Sequence, residues 1–246
     1  MRSCSIIKHL EIVRGTSADY KQLAQFHYRD GKLGPFAAIF AIRPKTQNIG
    51  FGIKTAGVVV YTMPSPGCQL RNVAMNNFFA GFDRSTRLKL VNKTIRCINR
   101  VIIEPRFRGL GLASWLVRET MGKMETPVVE AMAVMGLVNP FFEKAGMKAY
   151  RAKQPKRCVQ MEEAFSLVGI EEAQLIDAQK VYSKLSHLPG KEAEFIELQI
   201  RWFLQSYGKR RLMTASLERT NFVLDKLTAR PVYYIWFNPN LVIGEF

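Results

Sequence analysis

One stretch, Arg106-Phe107-Arg108-Gly109-Leu110-Gly111-Leu112-Ala113, constrains this chain more than any other. Before it, residues 98–105 form an apolar run that reads as a buried strand. After it, residues 114–121 read as a helix. A strand, a glycine turn and a helix in that order gather backbone N–H groups at a helix N-terminus. Those unpaired donors and the helix dipole favour an anion. Gly109 and Gly111 let the backbone approach a phosphate with no Cβ in the way. Two kinds of phosphate loop are excluded. A P-loop needs Lys and then Ser or Thr after its last glycine, where this chain has Leu112-Ala113. The dinucleotide fingerprint needs a third glycine where Ser114 stands. What remains is Arg-x-x-Gly-x-Gly, read as Arg106, Gly109 and Gly111. Taken alone, it is equally the spacing of an ordinary strand-to-helix turn.

A second segment, Asn139-Pro140-Phe141-Phe142-Glu143-Lys144-Ala145-Gly146-Met147, reads as a short helix ending on a glycine. Residues 127–134 between the two segments read as a strand. The two spacings together resemble the GNAT acyltransferase superfamily, over residues 5–158. The resemblance implies an α/β (α+β) fold with a central mixed, mostly antiparallel sheet flanked by helices. It implies a CoA-dependent N-acyltransferase with acetyl-CoA as donor. In that superfamily the amides of the loop hold the pyrophosphate, which assigns Arg106, Phe107, Arg108, Gly109, Leu110, Gly111, Leu112 and Ala113 to coenzyme A. The strand backbone at Val101, Ile102 and Ile103 is the expected source of the N–H that polarises the thioester carbonyl. Asn139 matches a residue that contacts the pantetheine arm, although an Asn-Pro pair also simply starts helices. Many members carry a Tyr in the short helix as general acid; this chain has Phe142 there.

The missing acid directs attention to Phe26-His27-Tyr28 at the end of the first helix. His27 and Tyr28 are candidates for it, and Glu130 is a candidate base, acting directly or through water. Arg100 would clamp a phosphate or orient His27. Each has a plainer reading: a structural or solvent-facing His27, a Glu130 paired with one of many arginines, an Arg100 in a strand-edge ion pair. The two motif regions also resemble the acyltransferase-like domain fused to ABC-type ATPases. There is a partial resemblance to the phage Mom family, which alters the adenine amino group. Mom-like sequences have an Asp near the end of the strand after the coenzyme loop. Here no Asp occurs between Asp83 and Asp177, and Glu130 is the nearest carboxylate.

The net charge of +16 is unevenly placed. Residues 1–158 hold 26 Lys+Arg against 9 Asp+Glu, and residues 159–246 hold 10 against 11. Two clusters stand out: residues 84–108 and residues 148–157. Coenzyme A needs only a few cations, so the surplus points to a nucleic acid, DNA more than RNA, as the molecule carrying the acceptor amine. A basic protein whose charge serves no partner, or an acceptor that is a protein or small amine, are the alternatives. Cys4, Cys68, Cys97 and Cys158 show no C-x-x-C pair, which fits reduced thiols and no metal site. No apolar run reaches membrane-span length and no signal-peptide core follows Arg2, so a cytoplasmic protein is expected.

Along the chain, residues 5–13, 36–42 and 57–61 read as strands and residues 17–28 as a helix, with a loop at 31–35 and a polar turn at 44–50. Residues 68–93 give a weak pattern. Their cluster Phe78-Phe79-Ala80-Gly81-Phe82 suits either core packing or a substrate-side loop. A strand is expected to run on from Met147 toward Gln160. Helical spacing then holds from 162 to 227, broken at Pro189-Gly190, before a last strand at 231–237. The expected organisation is an acyltransferase core at 1–160, a helical insertion at 161–228, and a strand returning to the sheet with a tail at 229–246. A C-terminal helical subdomain with its own strand is the alternative.

Overall fold

The computed structural model describes residues 5–27, 34–46, 52–134, 136, 138–228 and 231–241. The chain divides into two compact units, residues 1–151 with 231–246, and residues 152–230. The first unit is built on β1 (Leu10–Arg14), α1 (Ser17–Leu23), β2 (Ala38–Pro44), β3 (Gly57–Thr62), α2 (Gln69–Ala74), α3 (Arg84–Thr94) and β4 (Ile95–Ile103). It continues through α4 (Leu112–Met121), β5 (Val128–Ala133), α5 (Phe141–Lys144) and β6 (Lys148–Arg151), and ends with β7 (Val232–Phe237). The seven strands form one sheet in the order β1-β2-β3-β4-β5-β7-β6. Every neighbouring pair is antiparallel except β4 and β5. The sheet is therefore mixed and mostly antiparallel and flanked by helices, as expected.

Side-chain alternation divides the core between the two faces. Val59 and Tyr61 of β3 join Leu112, Leu116, Val117 and Met121 of α4 on one face. Val58 and Val60 join Tyr20 and Leu23 of α1 on the other. Farther along, Ala74 of α2 and Val91 of α3 pack with Ile95, Val128, Tyr233 and Ile235. Leu116 is fully buried, and burial of such a side chain stabilises the fold by about 1.5–3 kcal/mol.

Three expectations need correction. The first strand starts at Leu10, because Ser5–His9 close a 3₁₀ turn. The strand after Met147 stops at Arg151 and does not run toward Gln160; Lys156–Leu167 is instead α6. Pro155 ends the extended segment, and Cys158, Met161, Ala164 and Phe165 then fall on one helical face, where they are buried. The first helix ends at Leu23 and gives way to a 3₁₀ turn at Ala24–Phe26, short of the expected 17–28; residues 68–93, weak in sequence pattern, contain α2 and α3. The loop at 31–35 and the turn at 44–50 lie largely outside the described residues.

The second unit is helical: α6, α7 (Ala178–Ser186), α8 (Gly190–Leu204) and α9 (Leu217–Thr228). Met161, Phe165, Val181, Ile200, Phe203 and Leu224 are among its buried core. Arg219 and Glu197 join α9 to α8 by two hydrogen bonds of 2.8 and 2.6 Å. No described helix is long and apolar enough to cross a membrane.

Candidate active site

The parallel pairing of β4 and β5 ends at Ile98 and Ala131. Beyond it β4 continues to Ile103 and β5 to Ala133 with no pairing between them, so the two strands part. A β-bulge sits at the same level. Val60 faces Arg100 and Tyr61 faces Ile98, leaving Asn99 as the extra residue in β4. Bulges bend the strand and re-aim its side chains. The fork opens a cavity of about 570 Å³.

At the C-terminal end of β4, Gly109 and Gly111 take left-handed φ values of +79° and +78°, and Gly111 is the N-cap of α4. A side chain there would pay about 1–2 kcal/mol for its backbone conformation. No described atom beyond the adjoining residues lies within 4 Å of either Cβ position, so the space there is open. The first amides of α4 have no partner inside the helix. Leu112, Ala113 and Ser114 line the cavity with both glycines, and Ser114 Oγ donates to the Gly111 carbonyl at 2.9 Å. Arg108 fastens the mouth: its Nε donates to the Ile103 carbonyl at 3.2 Å and its Nη2 to the Phe26 carbonyl at 3.1 Å.

The walls come from both strands and from α5. Val101, Ile102 and Ile103 line it from β4, Met132 and Ala133 from β5, and Asn139, Phe142 and Lys144 from in and around α5. The β5-facing backbone groups beyond Ile98 have no strand partner and are placed to pair with an extended ligand. Phe142 is 5% exposed and lies against Tyr234, with ring centroids 5.0 Å apart. The Tyr234 hydroxyl is turned away to the Gly136 carbonyl at 3.2 Å. No tyrosine hydroxyl therefore replaces the acid that Phe142 lacks among the described residues lining the cavity.

His27, half-buried, and Arg100 also line the cavity. Arg100 Nη1 donates to the Asn99 carbonyl at 3.0 Å and to Asn99 Oδ1 at 2.7 Å, while its buried Nε has no partner among the described residues. Tyr28 lies outside the described residues.

Three expected site residues are elsewhere. Glu130 is buried and receives two hydrogen bonds from Arg71, from Nε at 2.7 Å and Nη2 at 2.6 Å, and one from the Tyr233 hydroxyl at 2.8 Å. It does not line the cavity, and its oxygens are occupied. The expected base is thus a buried ion-pair partner. Burial pushes the Tyr233 phenol far up, and the adjacent Glu130 charge adds to it. Arg106 turns from the loop to Glu104, with Nε at 2.8 Å from Oε1 and its own amide donating to Oε2 at 2.9 Å. Leu110 packs against the core beneath the loop and does not line the cavity.

The sequence reading missed Phe26, Asn99, Met132 and Lys144. Phe26 and Lys144 carried a signal, as parts of the Phe26-His27-Tyr28 run and of the short-helix motif. A second hollow, of about 820 Å³, lies in the helical unit between α8 and the segment leading into α9. It has no glycine turn or parted strands, so the β4–β5 fork is the better candidate. No cluster of three or more metal-ligating side chains occurs among the described residues.

No family model matches the chain, and no curated protein matches it. Among solved structures, the chain is similar to Arabidopsis thaliana NAA60 in complex with acetyl-CoA. The identity is 10% and the TM-score 0.41, and the match covers 60% of this chain and 92% of that one.

Proposed function

We propose that this protein is an acyl-CoA-dependent N-acyltransferase, with acetyl-CoA as donor and an amino group on nucleic acid as acceptor, DNA more than RNA. The observation that carries the reading is the parted β4–β5 pair with the glycine turn and α4 N-terminus at its mouth. The residues present fit coenzyme A. Open left-handed glycines and unpaired amides suit a pyrophosphate, unpaired strand backbone suits an amide-bearing arm, and Arg108 and Lys144 supply cations. When bound, the coenzyme supplies an activated thioester carbonyl.

The chain's own groups do the rest. Loop amides from Gly109 to Ala113 hold phosphate oxygens. A backbone N–H of β4 past the bulge binds the developing negative charge on the carbonyl oxygen. His27 receives the proton that the attacking amine loses. Arg100 lines the same cavity, with an Nε–H that has no partner among the described residues. The departing thiolate needs a proton in turn, and Tyr28 is the candidate donor from the Phe26-His27-Tyr28 run.

The nucleic-acid part rests on charge. The first unit holds 23 Lys+Arg against 10 Asp+Glu, a field that attracts phosphates and disfavours a cationic amine. The partial Mom resemblance and that to the acyltransferase-like domain of ABC-type ATPases belong to the same reading. A protein or small-molecule amine is the second reading, favoured if polyanions do not bind. Two measurements test the proposal. Calorimetry with acetyl-CoA tests the donor, and mass spectrometry of nucleosides from cells with and without the protein tests the acceptor. Acetyl-CoA that fails to bind refutes the first part; unchanged nucleosides with acetylated amines elsewhere refute the second.

A further inference from the structure

We infer that the first half of α3, with the turn before it, is a binding surface for single-stranded nucleic acid. This rests on the nucleic-acid acceptor proposed above, and adds where that polymer is held and in what form.

Sorting the cations of the first unit by their partners sets aside those already committed. Of the exposed ones without an ion pair among the described residues, some stand singly, as Lys21, Lys54 and Arg118 do, and three stand together on α3. Arg43, Arg71 and Arg106 are paired with Asp19, Glu130 and Glu104. Arg108 and Arg96 donate to backbone carbonyls, and Arg100 to Asn99. Arg84, Arg87 and Lys89 are exposed and form no ion pair among the described residues. They share one helix that contains no acidic residue. Asp83, just before it, is engaged as the N-cap, accepting from the Ser85 and Thr86 amides. The helix is anchored by Val91 and Thr94, its only buried residues. Nothing from Arg84 to Leu90 is buried, so this half is free to meet a partner.

The second observation is aromatic. Phe78 and Phe82, 43% and 45% exposed, lie in the turn that leads into α3. The turn is not slack. Asn76 and Asn77 take φ values of +48° and +56°, and the Asn77 amide donates to the Asn72 carbonyl at 2.7 Å. Phe78 stands edge-on to the buried Phe79, ring centroids 5.1 Å apart, which fixes it against the core while leaving ring surface in water. Exposed rings in the turn that leads into a helix of unpaired cations match what an unpaired strand offers: phosphates for the cations and base faces for the rings. A duplex hides its base faces in the stack, so it would use the cations and leave the rings without a role.

The test is fluorescence anisotropy of the full chain with one labelled sequence as single-stranded DNA, as single-stranded RNA and as duplex DNA, between about 50 and 200 mM salt. Single strands should bind at least about tenfold tighter than the duplex; the DNA and RNA arms distinguish the sugar, and either result supports the surface. Phe78→Ala with Phe82→Ala should weaken single-strand binding by about tenfold or more, with little change in salt slope. Arg84→Gln, Arg87→Gln and Lys89→Gln together should flatten the slope by about 2, at roughly 0.7 per phosphate contact. The corresponding Arg84→Lys and Arg87→Lys variants should keep the slope. Equal or tighter duplex binding, or no effect of either variant set, overturns the proposal, as does the absence of binding at the lowest salt. Acetyl-CoA affinity, read by calorimetry on the same proteins, separates the two claims. Strands that bind at α3 without becoming acetylated refute the acceptor reading and leave the surface standing.

Discussion

Replacing Glu130 separates a buried strut from a catalytic base. The Glu130 carboxylate is 3% exposed and Arg71 2% exposed. They meet through hydrogen bonds of 2.7 and 2.6 Å, and Tyr233 adds one of 2.8 Å. Glu130→Gln removes the charge and leaves the Arg71 guanidinium buried and uncompensated. Breaking such a pair from one side costs about 3–5 kcal/mol. For a unit of this size each kcal/mol shifts the midpoint by roughly 2–4 °C, so the melt should move down by roughly 6–20 °C. Removing all three polar partners together, as Arg71→Met, Glu130→Leu and Tyr233→Phe, leaves no orphaned charge. That protein should be more stable than the single variant, because a buried ion pair replaced by apolar groups of similar volume is often near neutral. Circular dichroism melts and urea titrations of the three proteins, the parent included, give the comparison. A Glu130→Gln protein within about 1 kcal/mol of the parent, yet without acyl transfer, would refute the argument and restore Glu130 as the base.

Gly109→Ala and Gly111→Ala each place an L-residue near φ +79° and +78°, costing about 1–2 kcal/mol apiece, and calorimetry should show acetyl-CoA binding weakened well beyond any loss of stability. Asp19 accepts from the Thr16 amide at 2.8 Å and from Arg43 Nη2 at 2.8 Å; burial pushes its carboxyl up, but these bonds outweigh it and hold the group below its usual 3.8. Its contribution is therefore complete above that value and lost as pH falls through the lowered one, so Asp19→Asn should be less stable at pH 7 and show a flatter acid limb in melts below about pH 4. Burial pushes the Cys97 thiol up to about 12, with the Glu130 charge adding to it, so iodoacetamide at pH 8 should leave Cys97 unmodified in the folded protein, as peptide mapping would show.

Local signals in the sequence carried the fold a long way, and their limits have a physical cause. The glycine turn was legible because only glycine settles readily at two left-handed positions so close together, and because an apolar strand and a helix flank it. The short α5 helix was legible from its terminal Gly146, which takes φ +98°. The bulge at Asn99 had no such marker. It is a mismatch between two strands far apart in sequence, visible only in the register of Val60 against Arg100. The same limit explains Glu130. Its partner Arg71 is 59 positions away and Tyr233 is 103 positions away, so no local pattern distinguishes this carboxylate from one facing a cavity. At 156–160, Pro155 permits either an extended stretch or a helix start. The choice fell to Cys158 and Met161, whose burial belongs to the helical unit.

Charge shows the same division between composition and structure. The run from Arg84 to Arg108 is continuous in sequence, but its members have different physical tasks. Arg106 is held by Glu104, so its charge is largely spent locally. Arg108 closes the cavity mouth by bonding two carbonyls. Arg100, in the cavity lining, keeps an Nε–H with no partner among the described residues, which a group brought by a ligand would complete. Arg84, Arg87 and Lys89 are left facing water on α3. Of the second cluster, Lys148 and Arg151 belong to β6, whereas Lys153, Lys156 and Arg157 belong to the helical unit. A long-range field draws on all of these cations, since it depends on their sum. Binding draws on position, and Arg84, Arg87 and Lys89 are uncommitted cations gathered on one helix with no acidic residue. The fork therefore has cations enough for one bound cofactor, while a polymer of phosphates would have to be gripped elsewhere, where exposed charge and exposed rings occur together.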